Sequence, residues 1–185
     1  MARYDFASDN TAPATPEAMN AVVAANTGAA SGYGSDPITR AGADAVRALL
    51  DTDAAVRFVA SGTAANAISL AALCQPFEAV LCHEHAHVAT DETGAPGFFG
   101  HGLGIIGLPG ASGRIDPASL AAPLAAPDQP HWQAPAVLSV TNATEYGTVY
   151  STSDLKALID PVKARGYRVH FDGARLANPR RRGST

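Results

Sequence analysis

The run His170-Phe171-Asp172-Gly173-Ala174-Arg175 holds an acid and a base three residues apart, directly after a stretch that reads as a β-strand. An aspartate at a strand end can hold the protonated pyridine nitrogen of pyridoxal phosphate, and that ion pair keeps the ring an electron sink. Arg175 could grip a carboxylate through two parallel hydrogen bonds. The plainer alternative is an Asp-Gly turn followed by a solvated arginine. Ser61-Gly62-Thr63 offers two hydroxyls and free backbone N–H groups at a helix start, which suits a phosphate. It also suits a simple helix cap. His83-Glu84-His85-Ala86-His87 is the third cluster. His83, Glu84 and His87 match the zinc-hydrolase spacing H-E-x-x-H, which requires both histidines on one helix face. A strand-like AVLC precedes them, so imidazole chemistry at a strand end, or plain surface histidines, compete with the metal reading. Asp91 and Glu92 read as solvated.

These clusters need a scaffold. Pro16 after Thr15 starts a helix that stops at Asn26-Thr27-Gly28. A second helix carries Ala45, Val46, Leu49 and Leu50. The run 54–59 reads as a β-strand, followed by a helix over 64–73. Strands are expected at 79–82, 103–108, 136–140 and 167–171. A helix is expected at 151–163, and a helix plus linker in the Ala/Pro-rich stretch 117–135. Alternating strands and helices predict an α/β domain with a largely parallel sheet, whose ligands collect at the carboxyl ends of the strands.

The 185 residues suffice for one domain of ordinary size. Hydrophobic residues make up 46% and charged residues 16%, a core-forming composition. A net charge of -4 argues against nucleic acid or an anionic membrane as partner. Two cysteines, Cys74 and Cys82, do not make a disulfide framework. The polar start and the lack of a long apolar run give neither a signal peptide nor a membrane span, so the expected location is cytoplasmic.

Six segments together resemble the threonine aldolase family of fold type I pyridoxal-phosphate enzymes: ASDN (7–10), YGSD (33–36), SGTAAN (61–66), HAHVATDETGAP (85–96), ATEYGTVY (143–150) and HFDGAR (170–175). They occur in the family's order over residues 6–178, and are most similar to the bacterial low-specificity enzymes. The resemblance implies a partial large domain of fold type I. It implies that Ser61, Gly62 and Thr63 hold the cofactor phosphate. His87 would stack on the ring and serve the substrate hydroxyl, and Asp172 would pair with the ring nitrogen. Arg175 would help hold the substrate carboxylate and a cofactor oxygen, and Ser8 lies in the motif expected near the substrate carboxylate. Tyr33 would reach into a neighbouring subunit of a dimer or tetramer. No metal is implied. The family reaction is retro-aldol cleavage of threonine or allo-threonine to glycine and acetaldehyde, without a preference legible here.

The family's Schiff-base lysine is expected beyond the HFDGAR segment. The lysines of this sequence are Lys156 and Lys163, both on the expected 151–163 helix, where they read as solvated. Residues 1–178 therefore read as the amino-terminal part of the cofactor-binding domain, and 179–185 as a non-family tail. Restoring one nucleotide after Asn178 in a GC-rich back-translation turns that tail into small residues of the family type. The expectation is a frameshifted and inactive chain.

Overall fold

The computed structural model describes residues 11–126 and 130–177, which fall into two units divided between Phe58 and Val59. The first unit contains α1 (Pro16–Ala25) and α2 (Pro37–Leu50). Thr15 caps α1 by accepting from Ala18 N, with proline at the first helical position. Asp36 caps α2 by accepting from Thr39 N at 2.8 Å, and α2 ends on Asp51 in the left-handed conformation. The run 54–59 is not a strand. Its β-branched residues favour extension, but a strand needs a hydrogen-bonded neighbour, and none pairs with it among the described residues.

The second unit is built on four parallel strands in the order β2-β1-β3-β4. They are β1 (Glu78–His83), β2 (Gly104–Leu108), β3 (Ala134–Thr141) and β4 (Arg168–Asp172). Helix α3 (Gly62–Leu73) precedes β1, the short α4 (His87–Thr90) and α5 (Ala95–Phe99) follow it, α6 (Ala121–Ala125) precedes β3, and α7 (Thr152–Ala164) joins β3 to β4. The register aligns Thr141 with Asp172 and His83 with Leu108, so the strand ends form one edge.

Side chains alternate across the central strands and feed two cores. Leu81, Leu138 and Val140 pack with Leu120, Leu158 and Val162 on one face. Val80, Cys82 and Val137 pack with Leu70 and Cys74 on the other. Helix α7 therefore covers one face and α3 the opposite one. Burial on both faces explains why β1 and β3 read as nearly continuous apolar runs. Ser151 and Asp154 close a reciprocal capping box at the start of α7. Among the described residues no helix is long and apolar enough to cross a membrane.

Candidate active site at the carboxyl edge of the sheet

From β1 the chain first moves outward to β2, then crosses back to β3 on the other side. Loops leaving β1 and β3 consequently diverge and open a crevice at their carboxyl ends. Tyr146, after β3, meets His85, after β1, across this crevice, with its hydroxyl 2.7 Å from His85 Nδ1.

His83 ends β1, and both of its ring nitrogens are engaged. Nδ1 accepts from His85 N at 3.0 Å, so Nε2 carries the hydrogen and donates to Gly110 O at 3.0 Å. His87 is the first residue of α4 and lies on a different element. The H-E-x-x-H spacing is therefore not presented from one helix face, and Glu84 sits exposed in the intervening turn. Among the described residues no group of three His, Cys, Asp or Glu could hold a metal ion.

The single turn of α4 brings Glu92 back beneath His87. Glu92 is buried, at 4% exposure, which corrects the expectation of a solvated carboxylate. Its Oε1 lies 2.9 Å from His87 Nδ1 and 2.7 Å from Asn66 Nδ2. Partial burial pulls the His87 pKa down. The hydrogen bond and charge of Glu92, with Glu145 and Asp91 behind it, more than offset that, and the pKa is raised.

Asp172, the last residue of β4, is buried. Its Oδ1 accepts from Ala174 N at 3.0 Å, the Asp-Gly turn expected from sequence, while Oδ2 accepts from Asn66 Nδ2 at 3.1 Å. His170, two residues earlier, bonds Ser139 Oγ through Nδ1 at 2.9 Å. Burial lowers its pKa despite Asp172 and Glu92 nearby. Arg175 is in the turn after β4, with Nη1 3.1 Å from Glu145 Oε2.

Ser61 caps α3, its Oγ accepting from Ala64 N at 3.1 Å. Gly62 and Thr63 supply the first turn, where backbone N–H groups have no partner within the helix. A side chain added at Gly62 would meet open space. Asn66, a little over one turn on, carries the contact to Asp172. The capping motif, Asp172 and His87 are thus tied to one helix. Tyr33 lies in the first unit, fully exposed, with a left-handed backbone. Ser8 and the tail 179–185 lie outside the described residues. Lys156 and Lys163 are exposed on α7.

Sequence reasoning found the histidine and the aspartate but missed the residues joining them. The signal for Glu92 was its spacing: five residues after His87, on the far side of the single turn of α4. Asn66 stood inside a quoted segment, and nothing local distinguished it from an ordinary polar residue on an exposed helix face.

A parallel sheet sandwiched by helices, with polar groups gathered at its switch point, is the architecture of fold type I pyridoxal-phosphate-dependent transferases. The sequence model of the family described as beta-eliminating lyase matches residues 5–181, and the chain belongs to that family. It is 43% identical over 173 residues to the low specificity L-threonine aldolase of Pseudomonas aeruginosa, covering 94% of this chain and 50% of that protein. A second relative of the same description, from a Pseudomonas species (strain NCIMB 10558), is 42% identical with the same coverage. The structure of Leishmania major threonine aldolase superposes with a TM-score of 0.87 at 30% identity, over 95% of this chain and 51% of that one. The chain spans about half the length of the curated relatives it matches.

Proposed function

We propose that this chain is the cofactor-binding portion of a threonine aldolase that cleaves threonine or allo-threonine to glycine and acetaldehyde, working in a homo-oligomer. The observation that carries the reading is the His87–Glu92–Asn66–Asp172 array at the carboxyl edge of the sheet. When bound, pyridoxal phosphate supplies an electron sink for the charge left on Cα as the Cα–Cβ bond breaks.

The residues present fit that group. Asp172 is a buried carboxylate held in place by two donors, suited to keeping a proton on a ring nitrogen. The first turn of α3, with Ser61, Gly62 and Thr63, offers N–H groups and a hydroxyl to a phosphate. Asn66 lies five residues after the cap Ser61, a rise of about 7.5 Å along the same helix.

His87 donates Nδ1–H to Glu92, which leaves Nε2 of the neutral ring to accept a proton from the substrate's β-hydroxyl. Arg175 is the group for the substrate carboxylate, which would compete with Glu145 for its guanidinium. Ser8 and Tyr33 are assigned to substrate and to a neighbouring subunit on resemblance alone.

The test is cofactor binding by the protein itself, read from visible absorbance. Saturable binding that weakens at least tenfold in Asp172→Asn and in Ser61→Ala/Thr63→Ala supports the site. Binding indifferent to all three substitutions would contradict it.

A further inference from the structure

Glu92 and Asp172 are both buried carboxylates, and a single nitrogen stands between them. Asn66 Nδ2 donates one hydrogen to Glu92 Oε1 at 2.7 Å and the other to Asp172 Oδ2 at 3.1 Å. Two acceptors on this side require the amide nitrogen there. Asn66 is itself buried, at 8% exposure. Among the described residues Glu92 makes its bonds through one oxygen: Oε1 serves both Asn66 and His87, while Oε2 is buried with no partner there. His87 and Asn66 thus share one acceptor oxygen, and Glu92 and Asp172 each take one of the two hydrogens of a single amide nitrogen.

We propose that Asn66 is a positioning residue whose amide couples Asp172 to His87, through Oε1 of Glu92, so that the aspartate's state sets how strongly the imidazole is held. The roles of the two ends rest on the reading above; the coupling between them does not. When Asp172 is neutral, the Asn66 amide gives itself more fully to Glu92. Oε1 then accepts less well from His87, and the imidazole holds its proton more loosely. A protonated partner docked on Asp172 would have the same effect. Asp172 and His87 are joined by a continuous hydrogen-bonded route, from the aspartate through the Asn66 amide to Oε1 of Glu92 and on to the imidazole.

The experiment is a double-substitution cycle read by side-chain ¹⁵N NMR of the histidines, on the protein without cofactor. Asp172→Asn should lower the His87 titration midpoint by about 0.3 to 0.5 pH unit in the native background. In an Asn66→Ala background the same substitution should move it by less than about 0.1 unit. Asp91→Asn, acting through space, should shift His87 equally in both backgrounds.

An equal Asp172 effect in both backgrounds would show direct charge action and overturn the proposal, as would no effect in either. If Asn66→Ala does not fold, Asn66→Ser serves as the second background. It retains one donor and cannot bridge both carboxylates, so the same comparison decides. Failure of cofactor binding with an intact cycle would sink the functional reading and leave the coupling standing. An intact site with a flat cycle would do the reverse.

Discussion

His87 and Glu92 form a 2.9 Å hydrogen bond in which the carboxylate is wholly shielded and the imidazole is partly open. A raised histidine pKa means that the folded state binds the proton more tightly than the unfolded chain does. The stability contributed by the pair is therefore complete below the unfolded value of about 6.5 and fades as pH rises through the higher folded value. Glu92→Gln should return the His87 midpoint toward the ordinary range. The stability gap between native protein and variant should narrow as pH rises above about 6.5. Denaturant melts at several pH values check this; a gap that widens with pH would refute it.

His87 and His83 should differ sharply in function. In a chain extended to the length of its relatives, His87→Ala should lower threonine turnover by about ten-fold to a thousand-fold, the range for a positioned acid–base group. His83→Ala should cost far less turnover, because its two ring nitrogens bond backbone groups, Gly110 O and His85 N. Equal losses at the two positions, with stoichiometric zinc lost on chelation, would instead favour a metal site.

Leu158 of α7 is fully buried against Leu81, Leu138 and Val140. Leu158→Ala should cost about 2 to 5 kcal/mol from lost burial and the cavity left behind. Cooperative unfolding followed by circular dichroism measures it, and a loss below about 1 kcal/mol would mean that α7 is not seated on that face.

Cys74 and Cys82 should behave as inert core residues. Burial pushes the Cys74 thiol up to about 11, with the charge of Glu78 adding to it, and the Cys82 thiol up to about 12. Thiolate is the reactive form, so a disulfide reagent should label neither in the native protein at neutral pH and both after denaturation. Rapid labelling of native Cys82 would place it outside the core assigned to it.

The sequence made the sheet legible because its central strands, β1 and β3, are buried on both faces and its strands are bounded by polar, turn-forming residues. The four strands from 78 onward, α3 and α7 lie where periodicity and caps put them. The run 54–59 misled, since strand propensity reports a favourable surface and not the presence of a partner. Helices α4 and α5, at four and five residues, are too short for apolar periodicity to register. In the site, Asp172 and His87 were legible as functional groups at strand ends. Glu92 and Asn66 were not, because what makes them unusual is burial. A carboxylate in an acidic loop and an asparagine on a helix acquire their meaning only when the β4 edge closes over them.

The central assignment is a threonine-cleaving site built on this domain, and product formation tests it most directly. Threonine and pyridoxal phosphate are supplied to the 185-residue chain and to a version extended to the length of its relatives, with glycine and acetaldehyde measured against free cofactor. Borohydride reduction and mass mapping follow on both. The expected result is stoichiometric lysine labelling and rapid glycine formation in the extended protein only, with Lys156 and Lys163 unlabelled in either, since both are exposed on a helix outside the array. Labelling of Lys156 or Lys163 together with glycine formation well above background would contradict the account. So would an extended protein that binds the cofactor and leaves threonine intact.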